Sequence, residues 1–303
     1  MKSIVYFLLC AGLALSAACA RTSTQERPPE GLEAEIEGII AEYPGQIGVA
    51  LITDAGDTLA VGNDDSYPLM SVVKLHQAIA LSRKLGSEGG SLDSTVIIPR
   101  AQLNPDTWSP MLADYPAADS IAISLRRLLD YALTLSDNNA SDYLFAHLQS
   151  PAETDSAIAA IIPREGFGIA VSEAQMFADH SLAARNHTSP LSAAMLMNRL
   201  FTDSLSKEDP WLRSTLGRCT TGVDRIAAPL DSIAGVSIAH KTGSGYSSGG
   251  ILAAHNDLAF ITLPDGRTYT LAVFVRDLRG TEPTASAAIS RISSAVYAAM
   301  NKQ

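Results

Sequence analysis

The sequence predicts an α+β fold in which an antiparallel sheet with flanking helices is assembled from both ends of the chain, with an all-helical domain inserted between those ends. Two observations support this prediction. Apolar residues alternate with a period of two near both ends of the 303-residue chain, whereas the stretch from Ser71 to about residue 218 has mostly helical periodicity. Because a long helical block separates the two sets of strands, they must meet in space to form one sheet.

The first predicted elements are a helix and a hairpin. The isoleucines between Leu32 and Tyr43 recur along one side of a helix, which is typical of a helix with one buried face. Gln46 to Thr53 reads as a strand and Asp57 to Val61 as its hairpin partner. The helical block opens at Ser71, and several of its segments begin with Ser or Asp, residues favoured at helix N-caps. These segments are Ser124–Leu135, Ser141–His147, Asp155–Ile162 and Ser189–Phe201.

The chain after the helical block returns to a period of two. Three strands are predicted there, over Ser237–Lys241, Leu252–Leu263 and Tyr269–Val275. Pro264-Asp265-Gly266 is a strong hairpin turn between the last two of them. A final helix is predicted from Thr284 to Met300.

Residues 1–20 have the features of a signal peptide, with a lysine near the start and an apolar run too short to span a bilayer. Ala18-Cys19-Ala20 permits cleavage after Ala20, which would release a soluble product. Cys19 after small residues also resembles a bacterial lipobox, in which case it would be acylated and attach the protein to a membrane. Both interpretations export the protein to the periplasm, and residues 21–31 then form a polar tether.

Composition excludes several classes of partner and cofactor. The net charge of −10 makes nucleic acid and anionic membrane surfaces poor partners. Only Cys219 lies beyond the signal segment, so no internal disulfide is expected, and a lone cysteine is more often a small buried hydrophobe than a catalytic thiol. The six histidines show neither H-x-H nor H-x-x-x-H spacing, so no metal site is expected.

Three short motifs carry the chemistry. Each is weak alone, since a second S-x-x-K at Ser204 to Lys207 occurs without any S-D-N after it and before Lys241. Together they supply two hydroxyls, two amines and an amide for one acyl-transfer site. The motifs are Ser71-Val-Val-Lys74, Ser136-Asp137-Asn138 and Lys241-Thr242-Gly243.

The first motif places a nucleophile beside a base. Ser71 opens a helix, where free N–H groups favour developing negative charge, and Lys74 lies one turn away on the same face. A desolvated lysine can take the proton of a hydroxyl. Each motif also has a simpler interpretation. The first could be a helix cap with a solvated lysine, the S-D-N motif a helix-ending turn, and the K-T-G motif a glycine-rich hairpin with an exposed lysine.

The order and spacing of these motifs resemble those of class A serine β-lactamases and, more loosely, of penicillin-binding proteins. The resemblance runs from about residue 34 to residue 298. The segment Ser172-Glu-Ala-Gln-Met176 contains an E-x-Q-M motif, which is typical of the PER- and VEB-type extended-spectrum subgroup. The resemblance implies a serine β-lactamase/penicillin-binding-protein-like fold with a five-stranded sheet. The further words that match are Thr107-Trp-Ser-Pro110, Ser172-Glu-Ala-Gln-Met176, Thr220-Thr-Gly-Val-Asp-Arg225 and Asn186-His-Thr-Ser-Pro190.

The resemblance implies a role for each site residue. Ser71 would attack the lactam carbonyl, Ser136 would pass a proton to the leaving nitrogen, and Glu173 would activate the water for deacylation. The base for acylation stays open between Lys74 and Glu173. The substrate-binding residues implied are Asn138, Lys241, Thr242, Ser244, Arg225 and Trp108, and the N–H groups of Ser71 and Ser244 would form the oxyanion hole. A solvated surface arginine and a half-buried structural tryptophan are the alternatives for Arg225 and Trp108, and a surface carboxylate is the alternative for Glu173.

Two positions depart from the family pattern. Phe177 stands four residues after Glu173, where the family has Asn or His to hold the hydrolytic water, and a phenyl ring makes no hydrogen bond. Val171 and Asn186 stand where the broader family has an Arg–Asp pair that braces this loop. We therefore expect no such brace, and we expect Phe177 to affect deacylation more than acylation.

Together with the signal peptide, the resemblance predicts an exported, monomeric β-lactamase that needs no cofactor or metal. It would hydrolyse β-lactam antibiotics, namely cephalosporins and penicillins, through an acyl-enzyme on Ser71. The alternative is a DD-peptidase or a slowly deacylating penicillin-binding or sensor protein. The predicted division of the chain is a signal peptide (1–20), a tether (21–31), a sheet domain (32–66 and 226–303) and a helical domain (67–225) carrying Ser71, Ser136 and Glu173.

Overall fold

The structure is a computed structural model that describes residues 29–302. The predicted signal peptide and most of the predicted tether lie outside these residues, as does Cys19. Among the described residues, no helix combines the length and apolar character that crossing a bilayer requires.

The described chain contains both strands and helices along its length. The strands are β1 (Gln46–Thr53), β2 (Thr58–Val61), β3 (Tyr67–Pro68), β4 (Thr95–Pro99), β5 (Ser120–Ser124), β6 (Phe167–Gly168), β7 (His187–Thr188), β8 (Ser237–Ser244), β9 (Ser247–Ser248), β10 (Ile251–Thr262) and β11 (Thr268–Arg279). The α-helices are α1 (Leu32–Ile40), α2 (Val73–Glu88), α3 (Pro110–Asp114), α4 (Leu125–Thr134), α5 (Asn138–His147), α6 (Pro151–Ala159), α7 (Glu173–Ala178), α8 (Pro190–Thr202), α9 (Asp209–Leu216) and α10 (Glu282–Met300).

The main sheet is antiparallel and joins strands from both ends of the chain. Its order is β2-β1-β11-β10-β8, and the short β9 also pairs with β10. Val49 on β1 lies opposite Val273 on β11, so an early strand and a late strand are direct neighbours. The predicted assembly of the sheet from both termini is confirmed, and β8 forms one edge of the five-strand path.

Both faces of this sheet are buried, which explains why β1 is apolar along nearly its whole length. Val49 and Leu51 pack into a core shared with α1 and α10. Ala50 and Ile52 point to the other face and pack into the core formed by the helical block. Successive side chains of a strand alternate between faces, so a strand buried on both sides needs a continuous apolar run.

Several predicted boundaries shift for identifiable reasons. β8 continues through Ser244, whereas the strand was predicted to end at Lys241. The helix predicted to start at Ser141 begins at Asn138, because the Asp137 side chain accepts the N–H of Ala140 and caps it. The region predicted as all-helical also contains two small antiparallel sheets, β4-β5 and β3-β7-β6.

Candidate active site

The three motifs meet at a cavity of about 570 Å³ between the end of β8 and the helices. Each motif is delivered by a different element: the start of α2, the α4–α5 connection, and β8. The cavity is lined by Ser71, Trp108, Ser136, Asn138, Thr221, Arg225, Thr242, Ser244 and Glu282.

Ser71 lies in a single 3₁₀ turn, Met70–Val72, that leads directly into α2. Met70 has a φ of 47°, a left-handed conformation that costs energy for a residue with a side chain. Lys74 follows on α2 with no solvent exposure, and its Nζ lies 2.9 Å from Ser71 Oγ. The solvated lysine of the simpler interpretation is therefore excluded.

Lys74 is the centre of a hydrogen-bond network that joins all parts of the cleft. Its Nζ donates to Asn138 Oδ1 at 2.6 Å and to the Ser136 carbonyl at 2.8 Å. It also lies 3.1 Å from Glu173 Oε1, which in turn lies 3.5 Å from Ser71 Oγ. Because several acceptors surround one amine, the position of this amine is defined from several directions at once.

Ser136 holds its hydroxyl between the two lysines. Its φ of 57° is left-handed, and the residue occupies the sharp connection between α4 and α5. Lys241 Nζ donates to Ser136 Oγ at 3.0 Å, and Lys74 Nζ lies 3.5 Å from the same atom. Asp137 fixes this connection, since its carboxylate also accepts the N–H of Met111 at 2.7 Å.

Lys241 is fully buried, so the exposed lysine of a surface hairpin is excluded as well. Burial lowers the pKa of Lys241 to about 7, and the nearby charges of Lys74 and Arg225 act in the same direction. A negative group bound in the cleft would favour the charged form of this lysine. Beside it, Thr242 Oγ1 lies 2.6 Å from Thr221 Oγ1.

Arg225 lies behind β8 and is only 5% exposed, so the alternative of a solvated surface arginine is wrong. Its Nη2 donates to Ser244 Oγ at 2.6 Å, and its Nη1 donates to the carbonyl of Asn256 at 2.7 Å. Burial lowers the pKa of Arg225, while the charge of Asp257 opposes this. The arginine adds positive potential to this end of the cleft and orients the Ser244 hydroxyl.

His240, a buried residue of β8, pairs with Asp257. The Nδ1 of His240 is 3.1 Å from Asp257 Oδ1. Burial alone would lower the pKa of His240, but the charge and hydrogen bond of Asp257 raise it above its usual range. The free thiol of Cys219 lies nearby, 3.3 Å from Thr221 Oγ1, in a half-buried position.

The glycine of the K-T-G motif permits a close approach between β8 and the Ser71 turn. A Cβ on Gly243 would lie 2.7 Å from the Leu69 carbonyl and 3.3 Å from the Ser71 nitrogen. Only glycine fits such a contact without displacement of the backbone. This packing brings the end of β8, and with it Ser244, beside the Ser71 turn.

Glu173 is the first residue of α7, and its helix start is well capped. The Ser172 hydroxyl accepts the Gln175 N–H, while the Gln175 side chain accepts the Ser172 N–H. Glu173 is buried and faces Lys74, so the surface-carboxylate alternative is excluded. Phe177, one turn further on α7, is 46% exposed and is not part of the core.

The loop that carries α7 has Val171 and Asn186 in place of the Arg–Asp pair, and the amide of Asn186 braces it in another way. Asn186 Oδ1 accepts the N–H groups of Ala170 and Val171 at 2.8 and 3.0 Å, and its Nδ2 donates to the Val171 carbonyl at 2.8 Å. The Asn186 carbonyl also accepts the N–H of Leu69, two residues before Ser71. One buried amide therefore replaces an ion pair and ties the loop to the Ser71 turn.

Two further contacts hold this loop and were not predicted from the sequence. Asp142 accepts the N–H of Ala174 at 2.8 Å, and burial raises the pKa of its carboxyl to about 6. Asp142 lies one helical turn after Asn138, a spacing that could have identified it. Tyr246 stacks on His180 with ring centroids 4.6 Å apart, which connects the loop to the β8–β10 hairpin.

The remaining lining residues lie at the rim of the cleft. Trp108 is 63% exposed and its Nε1 donates to the Leu135 carbonyl at 2.9 Å, so it is not a half-buried structural residue. Thr221 and Glu282 also line the cavity, although the sequence offered no motif for Glu282. Within residues 29–302, no group of three or more His, Cys, Asp or Glu side chains is arranged to hold a metal ion.

Comparisons with known proteins identify the family. Residues 31–300 match the model of the β-lactamase enzyme family. A β-lactamase of Phocaeicola vulgatus is 51% identical over 281 residues, which cover 91% of this chain and 87% of that protein. The extended-spectrum β-lactamase PER-1 of Pseudomonas aeruginosa is 31% identical over 98% of this chain and 96% of its own length.

Solved structures agree. A class A β-lactamase from Bacteroides cellulosilyticus has a TM-score of 0.85 and 28% identity, and the match covers 92% of this chain and all of that one. A β-lactamase from Chitinophaga pinensis has the same TM-score with 31% identity over 89% of this chain and all of that one. The chain belongs to the β-lactamase enzyme family and is a class A serine β-lactamase that hydrolyses β-lactams.

Proposed function

We propose that the catalytic residues of this β-lactamase are Ser71, Lys74, Ser136 and Glu173. The observation that carries the proposal is the single network in which Lys74 Nζ contacts the Ser71 hydroxyl, Asn138 and Glu173. A hydroxyl beside a buried amine and a carboxylate is the arrangement that nucleophilic acyl transfer requires. Ser71 Oγ attacks the lactam carbonyl and forms an ester as the C–N bond breaks.

Protons move along the same network in this proposal. In this proposal the base for acylation is the neutral amine of Lys74, whose Nζ lies 2.9 Å from Ser71 Oγ, and the carboxylate of Glu173 is kept for the later step. That amine then removes the hydroxyl proton during attack. Ser136 Oγ, held between Lys74 and Lys241, gives its proton to the leaving nitrogen and receives from Lys74 the proton that came from Ser71. Glu173 then activates the water that hydrolyses the ester.

The opposite side of the cleft is proposed to bind the substrate. Lys241, Thr242, Ser244 and Arg225 supply positive charge and hydroxyl groups for the carboxylate that β-lactams carry. The N–H groups of Ser71 and Ser244 form the oxyanion hole, supported by the close packing of Gly243 on the Ser71 turn. Asn138 Nδ2 binds the substrate's side-chain amide, and exposed Trp108 covers the ring system.

The substrates proposed are cephalosporins and penicillins, and two relatives with extended-spectrum names, PER-1 and a TLA-1 enzyme, support the wider range. We propose export through residues 1–20, with release after Ala20 or acylation at Cys19, and activity as a monomer in the periplasm. The sheet domain (32–66 and 226–303) and the helical domain (67–225) would enclose the cleft between them.

Intact-mass analysis after mixing with a cephalosporin tests the proposed mechanism. We expect rapid turnover of the substrate by the unmodified protein, and neither adduct nor turnover in a Ser71→Ala variant. A persistent adduct without turnover would favour the slowly deacylating penicillin-binding alternative. Turnover by Ser71→Ala would refute the role of Ser71.

A further inference from the structure

One acidic side chain in the cleft has no part in the proposed mechanism. Glu282 is the one carboxylate among the side chains that line the cavity within residues 29–302. It is the first residue of α10 and is exposed. It shares the wall with Arg225, Thr242 and Ser244, the groups that give this end of the cleft its positive charge.

The carboxylate of Glu282 is available to a ligand. In the part of the chain that the structure describes, no hydrogen bond or ion pair joins it to another side chain, although its charge acts on Arg225. Arg225 does not pair with it, because both of its terminal nitrogens donate elsewhere, to Ser244, Gly243 and Asn256. Glu282 thus adds a negative charge to the rim of an otherwise cationic pocket.

The position of this charge matters for cephalosporins in particular. In these substrates the ring carbon next to the one bearing the carboxylate carries a variable substituent. With the substrate carboxylate against Ser244 and Arg225, that substituent leaves the ring at the end of the cleft where Glu282 lies. This placement rests on the proposed function of the site.

We infer that Glu282 is a specificity-determining residue that favours cephalosporins with a cationic substituent next to the carboxylate-bearing carbon. A positive group there meets an unpaired carboxylate, whereas a neutral group gains nothing from it. An exposed charge pair is partly screened by water, so the expected preference is about threefold to tenfold rather than absolute.

A comparison of two cephalosporins separates the charge effect of Glu282 from any effect on stability or on catalysis in general. Cephaloridine and cephalothin carry the same thienylacetyl side chain but differ at the relevant position, with a pyridinium and a neutral acetoxy group. We expect Glu282→Gln to lower the ratio of their kcat/KM values, cephaloridine over cephalothin, by about threefold to tenfold. The shift should shrink at about 1 M salt, where the Debye length is about 3 Å.

A matched control is Glu33→Gln, which removes one exposed carboxylate from α1, an element outside the cleft. Its ratio should equal that of the unmodified protein. An acidic residue in a first helical turn also stabilises the helix. If this were the only role of Glu282, Glu282→Gln would lower the Tm and would change the kcat/KM values of both substrates equally.

An unchanged ratio in Glu282→Gln, or an equal change for both substrates, would overturn the inference while hydrolysis itself stands. If the unmodified protein hydrolyses neither compound, the proposed function fails and the inference fails with it. A ratio that falls in Glu282→Gln and falls further in Glu282→Lys supports it.

Discussion

The two halves of the active site are built on different supports. The half that we propose to be acylating contains Ser71, Lys74, Ser136 and Lys241. It sits on the 3₁₀ turn before α2, on α2, on the α4–α5 connection and on β8, and both lysines are fully buried. The half that we propose to be deacylating consists of Glu173 on the six-residue helix α7, within a loop. The first half is therefore held by elements packed in the core, whereas the proposed water-activating carboxylate depends on a few hydrogen bonds.

This difference predicts that mutations in the two halves affect different steps of the reaction. Changes in the loop should reduce deacylation and leave acylation largely intact, because Lys74 keeps its contacts to Ser71, Ser136 and Asn138 when the loop moves. Four substitutions test this separation.

The largest effect is expected for Glu173→Gln. The amide cannot accept a proton, so the Ser71 ester should form and then accumulate, with deacylation slower by about 10²–10⁴-fold, the usual contribution of a general base. Time-resolved intact-mass measurement with a cephalosporin follows the adduct. The control Glu165→Gln changes an exposed carboxylate that precedes the same loop and should leave turnover unchanged. Native-rate turnover by Glu173→Gln would refute the assigned role.

The next largest effect is expected for Asn186→Ala. Three hydrogen bonds to the loop backbone disappear, which should reduce the free energy of unfolding by about 2–4 kcal/mol. Displacement of Glu173 by about 1 Å would slow deacylation by about 10²-fold. Urea unfolding and single-turnover kinetics measure the two effects separately.

Asn186→Asp keeps an acceptor for the N–H groups of Ala170 and Val171, but it replaces the donor to the Val171 carbonyl with an oxygen and adds a charge at a buried position. It should therefore also reduce the free energy of unfolding and slow deacylation. If acylation slows as much as deacylation in Asn186→Ala, the two halves are not independently supported.

A smaller and pH-dependent effect is expected for Asp142→Asn. Burial raises the pKa of this carboxyl from its ordinary value of 3.8 to about 6. The ionised form is therefore disfavoured in the folded state, and Asp142 costs stability progressively between about pH 4 and pH 6 and fully above it. The amide can still accept the Ala174 N–H without carrying charge.

We expect Asp142→Asn to increase the free energy of unfolding by about 1–3 kcal/mol at pH 8 and by much less at pH 4.5. Thermal unfolding at both pH values measures this, with the exposed Asp119→Asn as the control. A stabilisation of equal size at both pH values would contradict the assigned cause.

The smallest effect is expected for Phe177→Asn. Its ring is half-exposed on the helix face of Glu173, so the free energy of unfolding should change by no more than about 0.5 kcal/mol. An amide that can hold water should raise the deacylation rate by about fivefold, the value of one modest hydrogen bond. Stopped-flow turnover measures this, and a loss of turnover would show instead that the ring supports the site.

The sequence predicted which residues of the proposed acylating half lie together, because acyl transfer requires fixed residue types at fixed spacing. It predicted less about the supports, which depend on tertiary packing. Asn186 reads as an ordinary loop residue until the fold brings it against Val171. The strand was predicted to end at Lys241, whereas β8 runs past Gly243, where glycine is needed because the backbone of the Ser71 turn lies too close for a side chain.

Arg225 and Glu282 show the same limit. Arg225 was implied only by the family resemblance and Glu282 by no motif, because both lie in segments without periodicity. Their proximity in one cavity follows from the neighbouring positions of β8 and the start of α10, which no local pattern encodes.

The pairing of β1 with β11 has a consequence for how fast this molecule can become active. Gln46 pairs with Arg276, 230 residues away along the chain, so the sheet forms only after nearly the entire polypeptide has been synthesised. Closing so long a loop makes folding slow and favours intermediates that expose apolar strands. Truncations that remove β11 and α10 should therefore yield aggregates, and the rate of refolding, more than equilibrium stability, should limit the recovery of active enzyme after denaturation.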